Sequence, residues 1–321
     1  MLRWIVQFPL FSAALLCCAS PPLESAEDCS ENEILCENRC IPEDEPCPSS
    51  GGAKAPVDSS TDEGATAGCI DVATSNGTLN QQYQAAPIKV SGQQKSYYLI
   101  TNWWNLYDGQ SIRFDGLSFE VIDNKDVSVP PTEGAPAGYP AFFIGRYGGN
   151  TTTRSNLPKA VSEITSIPTA FSTNAVTHGT DNTNASYDVW FTQSADGVPP
   201  GTYSPGAGGA YLMVWLYKPK DRQPRGGIGN TANHPNREIE GVEGGWDVWL
   251  HPSTGDPPCV SYVSATPREK LSFDLADFIR DAVANEYFVT AEMYLSIIFA
   301  GFEIWGNGDG LRIDNFCVDV R

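Results

Sequence analysis

Basic residues are scarce in this chain: 20 Lys and Arg stand against 39 Asp and Glu, a formal net charge of -19 at pH 7. A nucleic-acid partner needs a basic footprint to release counterions, and a surface of this sign repels phosphates, so nucleic acid is excluded. Histidines number only 3, namely His178, His234 and His251, scattered through Gly-, Pro- and Asn-rich surroundings. A Ser-His-Asp triad or a His-rich metal centre has little to be built from, and all three are expected at the surface. No Gly-rich loop with a following Lys precedes a helix, so a phosphate cradle is missing too. What is present is 321 residues, 41% of them hydrophobic and 11% aromatic, with 30 Gly and 24 Pro. That length can bury a full-sized core, and the Gly and Pro content points to many strands and turns.

The chain opens MLRWIVQFPLFSAALLCCAS, a lone Arg3 followed by an apolar run from Trp4 to Leu16 and then small residues. This predicts a signal peptide over 1–19, too short to span a membrane, and hence an extracellular protein; lipid attachment at Cys18 is the alternative exit. Cys29, Cys36, Cys40 and Cys47 crowd residues 20–47, a segment too short to form a core without staples, and two local disulfides are expected there. Zinc is disfavoured because no Cys-x-x-Cys pair and no nearby His occur. Residues 48–67, with no aromatics, form a flexible linker, and 68–321 make up the main domain. Its Cys69, Cys259 and Cys317 are odd in number; a Cys69–Cys317 pair would join the two ends of the domain and leave one thiol spare.

Strand-like alternation recurs at 97–102, 111–122, 187–193, 210–217, 245–250, 259–266, 293–303 and 311–320, separated by turn clusters such as YDGQ and GNGDG. One helix is predicted in FDLADFIRDAVAN, where Leu275, Phe278, Ile279, Ala282 and Val283 share a face and Asp274 can cap. Many strands with a single helix point to an all-β protein, a two-sheet jelly-roll sandwich.

Carboxylates and aromatics remain as candidates for chemistry. Glu303 interrupts an apolar strand, and alternation puts it on one face with Phe299 and Gly301. Partial desolvation there would raise its pKa, as a general acid requires. In SYDVWF, Asp188 shares a face with Trp190; in AYLMVWLY, Tyr211, Met213 and Trp215 share one face and Leu212, Val214 and Leu216 the other. Aliphatics on one side suit a core. Tyr, Met and Trp on the other suit a cleft floor, since the apolar faces of sugar rings stack on aromatic rings. Asn76, Asn150 and Asn184 begin N-x-Ser/Thr sequons.

In order along 69–321, the segments ITNWWN, GYPAFFIGRYGGN, NLPKAVSEITSIPTAFS, SYDVWF, LMVWL, PREKLSFDLADFIRDAVA and AGFEIW resemble glycoside hydrolase family 12, the β-jelly-roll endoglucanases and xyloglucanases. The resemblance implies hydrolysis of a β-1,4-linked glucan by a retaining mechanism, with no cofactor and no metal. It implies acid/base action for Glu303 and a helper role for Asp188, while Asn102, Trp104, Tyr139, Met213 and Trp215 would line sugar subsites. The family strand reads Glu-Leu-Met-(Ile or Val)-Trp; here Tyr211 occupies the nucleophile position. Three outcomes are compatible with that change: a hydrolase using an altered route, a binding module that has lost hydrolysis, and, remotely, a lyase employing Tyr211. The acidic surface favours a neutral β-glucan as partner, and a monomer is expected.

Overall fold

The computed structural model describes residues 69–321 except 105–108, 125–127, 130–133, 180, 229 and 254, together with the backbone of 33–36 and 39–42. The expected signal peptide, the two local disulfides and the linker lie outside the described residues. Within the Cys-rich segment the backbone forms one antiparallel hairpin, β1 (Glu33–Cys36) with β2 (Arg39–Pro42).

The main domain supplies β3 (Asn76–Leu79), β4 (Ala85–Lys89), β5 (Ser96–Ile100), β6 (Ser111–Asp115), β7 (Ser118–Asp123), β8 (Ala141–Tyr147) and the short β9 (Asn150–Thr151) and β10 (Lys159–Ala160). Next come β11 (Pro168–Thr173), the single-turn helix α1 (Ala175–His178), β12 (Thr183–Thr192), β13 (Ala210–Trp215), β14 (His234–Ile239), β15 (Val242–His251) and β16 (Cys259–Ser264). Finally β17 (Lys270–Asp274) runs into α2 (Leu275–Ala284), followed by β18 (Tyr294–Ile304) and β19 (Arg312–Val318). A large sheet runs β14-β15-β16-β13-β12-β18-β8-β5-β4, and a smaller one runs β17-β11-β19-β7-β6-β3. This is the expected two-sheet jelly roll.

Alternation along each strand decides which side faces the other sheet. From the large sheet, Tyr187 and Val189, Leu212 and Val214, and Ile298, Ala300 and Phe302 are fully buried. They meet Ile112, Phe119, Phe171, Ile313 and Phe316 of the smaller sheet in one continuous core. Aromatic pairs stitch the layers together: Phe171 meets Tyr187 edge-on at 5.4 Å, Phe119 meets Phe302 at 5.7 Å, and Phe142 stacks on Phe316 at 6.0 Å. Such pairs add about 0.5–1.5 kcal/mol each beyond area burial.

Two expectations need correction. The run 111–122 is a hairpin rather than one strand, because Gly116 turns at φ 58 and any Cβ there would lie 2.5 Å from the Ala73 carbonyl oxygen. A second helical segment, α1, accompanies the anticipated one. The anticipated helix α2 is capped as expected, with Asp274 Oδ1 accepting from Ala276 N at 3.0 Å. Phe278 anchors it to the sheet, meeting Trp246 at 4.8 Å and Tyr262 at 4.9 Å. The Cys69–Cys317 disulfide is present, closing the N-terminal end of the domain onto β19, and Cys259 is the spare thiol, buried.

Candidate active site

The opposite face of the same central strands is free of the second sheet and carries the candidate residues. On β12 the face holds Asn184, Ser186, Asp188 and Trp190. Across from them in register stand Met213 and Tyr211 of β13, paired with Asp188 and Trp190, and Glu303 and Phe299 of β18, paired with Asn184 and Asp188. Gly301 lies between Phe299 and Glu303, where a Cβ would sit 2.2 Å from the Pro140 carbonyl oxygen. Glycine thus lets the Pro140 backbone cross directly beside the acid. The result is a cleft of about 360 Å³ whose walls bring Asp188, Glu303, Tyr211 and Met213 together with Asn102, Trp104 and Tyr139.

Glu303 is gripped by its cross-strand partner. Asn184, fully buried, donates from Nδ2 to Glu303 Oε2 at 2.6 Å and accepts from the Glu303 backbone N–H at 3.2 Å. Burial pushes the Glu303 carboxyl up to about 8; the Asn184 hydrogen bond opposes this and the charge of Asp188 reinforces it. The carboxyl is therefore protonated near neutral pH, and with Oε2 accepting from Asn184, Oε1 is the oxygen left to carry a proton into the cleft.

Asp188 accepts from Trp190 Nε1 at 2.8 Å through Oδ2, while its buried Oδ1 has no hydrogen-bond partner. Burial raises its pKa to about 7, with the indole hydrogen bond pulling the other way. A buried carboxylate oxygen without a donor is costly, and a ligand hydroxyl or water would satisfy it. Tyr211 sits edge-on to Trp190 at 5.4 Å. Burial drives its phenol up to about 12, against a hydrogen bond with Ser204, so it is un-ionised at neutral pH. Two carboxyl groups in one cleft, both with pKa raised by burial, make a candidate acid and base pair.

The walls are ordered by further hydrogen bonds. Tyr139 donates to the Ser186 carbonyl at 2.8 Å. Tyr147 donates to Asn102 Oδ1 at 3.0 Å, which leaves the Asn102 amide nitrogen as a donor. Asn102 holds a left-handed φ of 41, tolerable for Asn, and its carbonyl accepts from Tyr139 N at 2.7 Å. Trp104, 37% exposed, offers a ring at the rim.

The sequence profile of glycosyl hydrolase family 12 matches residues 95–321. The chain belongs to this family. Among family relatives, the protein named "Probable cellulase Cel12b" of Mycobacterium tuberculosis is 35% identical over 168 residues, 52% of this chain and 99% of its own length. Endoglucanase A of Aspergillus kawachii is 28% identical, over 51% of this chain and 64% of its own. An endoglucanase structure from Rhodothermus marinus superposes with TM-score 0.62 at 31% identity, covering 76% of this chain and 99% of that one. A metagenome-derived family 12 endoglucanase gives TM-score 0.64 at 27% identity, over 77% and 99%.

Against this family 12 frame, the structure gathers all but one of the residues singled out in the sequence. Trp215 is the exception. It is 2% exposed and packs against Trp305 at 6.3 Å, behind the cleft lining rather than in it. Tyr147, Tyr203, Arg225 and Cys259 line the cleft without having been anticipated. Asn184 begins a sequon, but fully buried and bonded to Glu303 it is closed to glycosylation in the folded chain. Its signal lay in the strand period, since Asn184, Ser186 and Asp188 fall on one face.

Proposed function

We propose that the cleft binds a β-1,4-linked glucan such as cellulose, mixed-linkage glucan or xyloglucan, and hydrolyses it with Glu303 as general acid and Asp188 as general base. One observation carries this: Glu303, held by Asn184, shares a cleft with a second carboxyl, Asp188, whose buried Oδ1 has no hydrogen-bond partner, and burial raises the pKa of both. The equipment of acid catalysis is not needed for stacking sugars. The endoglucanase and cellulase names of the relatives agree with the substrate class.

The usual two-step route of a retaining glycosidase needs a carboxylate nucleophile. The resemblance puts Tyr211 at that position, and a neutral phenol with a pKa of about 12 is a poor substitute. We therefore assign a single displacement. Glu303 gives its proton to the glycosidic oxygen as the bond from the anomeric carbon to that oxygen breaks. A water attacks the opposite face of the anomeric carbon, and Asp188 takes the proton that this water loses. One water is consumed, one new reducing end forms, and the two carboxyl groups return to their starting states by proton exchange with solvent. Release to an oxidising exterior is consistent with the Cys69–Cys317 disulfide.

The test is release of reducing ends from soluble β-glucan or xyloglucan by the purified protein, with loss of release in Glu303→Gln. A second function is favoured by Tyr211 itself: a glucan-binding module from which the nucleophile has been lost. Wild type that is retarded by the polymer in an affinity gel, yet releases nothing, selects that function. Tyr211→Glu then separates the two further, because a large gain in turnover would show that only the carboxylate was missing.

A further inference from the structure

Although the chain is acidic overall, the eight residues Lys218–Arg225, KPKDRQPR, hold four cations and the single carboxylate Asp221. Two residues separate them from the end of β13. Pro219, Arg222 and Pro224 are buried while Lys218, Lys220 and Arg225 are exposed, so the loop is pinned by alternate residues and turns its other cations outward. The anchors are specific. Arg222 donates to the Val129 carbonyl and lies over the Trp305 ring, 5.4 Å from its centroid. Lys218 Nζ donates to the carbonyls of Pro219 and Arg222, each at 3.2 Å, which closes the loop on itself. The two prolines, with φ fixed by their rings, add rigidity.

This loop walls a cavity of about 710 Å³ lined by Gly134, Lys218, Lys220, Arg222, Gln223 and Asn230, with Asp221 as the one acid among the described residues that line it. The chain links this cavity to the sugar cleft at two places. Gly134 is two residues from Pro136 of the cleft wall, and it accepts from Trp305 Nε1 at 3.1 Å, while Trp305 is two residues beyond Glu303. At the other end of the loop Arg225 lines the cleft itself, near Tyr211; its ion pair with Asp256, at 3.5 Å, is exposed on both sides.

We propose that this basic loop is an anion-recognising extension of the cleft, which takes a carboxylate or sulfate-ester group carried on a β-1,4-glucan chain. It rests on the cleft being a β-glucan site and narrows the substrate to a chain with acidic substituents. The long-range field of a protein with net charge -19 repels acidic polymers. Attraction must therefore be local, acting within the roughly 8–10 Å screening length at ordinary ionic strength. Exposed cations that each add a modest gain can act together on one substituted chain.

Affinity electrophoresis of the full protein through gels containing hydroxyethylcellulose, carboxymethylcellulose or cellulose sulfate tests this. The readout is the ratio of retention on each anionic polymer to retention on the neutral one. At low ionic strength we expect a ratio of about 5–10 on at least one anionic polymer, collapsing towards one in 0.5 M salt, roughly the behaviour of screened surface pairs. Carboxymethylcellulose alone above the neutral polymer identifies a carboxylate, and cellulose sulfate alone a sulfate ester. Lys220→Gln should lower the ratio about 2–4-fold, and Lys220→Glu further. Because each variant is its own control on the neutral polymer, loss of folding cannot mimic this result. A ratio at or below one on both anionic polymers overturns the proposal, as does a ratio that Lys220→Glu leaves intact. Retention on none of the three overturns the β-glucan cleft as well, whereas retention on the neutral polymer alone overturns only the anionic extension.

Discussion

The central strands of the large sheet present two faces built on one backbone, and the two treat polar groups in opposite ways. Towards the smaller sheet, β12 and its neighbours bury Tyr187, Val189, Leu212 and Val214, and the hydroxyls there are satisfied: Tyr187 bonds Thr169 at 3.0 Å, and Tyr262 bonds Asp281 at 2.8 Å. One residue along, the cleft face holds Asp188 with an unpartnered Oδ1 and Glu303 driven to about 8 by burial. A buried carboxylate oxygen with no donor is costly, and a ligand that donates to it would relieve that cost. The difference separates the packing face from the candidate site on the same three strands.

The sharpest way to break this contrast is Glu303→Gln. Loss of the proposed general acid should reduce turnover by about 10²–10⁴-fold while the fold persists. On the core face the signature is reversed: Phe316→Ala should cost about 3–5 kcal/mol of stability in denaturant unfolding, because its ring packs against Phe142 and Tyr97 in the sealed interior. Next in size is the pH dependence. The proposed hydrolysis requires Asp188 ionised and Glu303 protonated, so its rate should fall below about 7 as Asp188 gains a proton and above about 8 as Glu303 loses one. Asn184→Ala removes a hydrogen bond that lowers the Glu303 pKa, so the alkaline limb should move upward.

Stability has the opposite dependence on these groups. Both folded pKa values lie above the unfolded values near 4, so the folded state binds more protons between about pH 4 and 8. Stability should therefore decline as pH rises through that window, and Asp188→Asn should flatten the decline. A slope unchanged in that variant would detach the burial cost from the cleft. The smallest expected effect is remote from both faces: Asp274→Ala removes the α2 cap and should cost about 1 kcal/mol in stability without affecting turnover.

The jelly roll was legible because inward and outward residues alternate cleanly in AYLMVWLY and SYDVWF, and because FDLADFIRDAVAN carries both a helical stripe and its cap. The cleft pair was legible for the same reason: a carboxyl amid apolar neighbours on a strand is conspicuous. Strands such as His234–Ile239, rich in charge, and Ala85–Lys89, with a Pro, carry little alternation and were invisible without their partners. Trp215 has the right parity for the cleft yet lies under Trp305, since strand period gives the face but not what covers it. Asn184 and Arg225 matter through cross-strand register and loop path, which one sequence does not contain.

The most direct test of the account is proton NMR of freshly formed ends during β-glucan cleavage by wild-type protein, recorded before mutarotation. Single displacement with Tyr211 in place of a carboxylate predicts that the α-anomer appears first, inverted from the β-linkage. First appearance of the β-anomer, or no new ends at all, would contradict it.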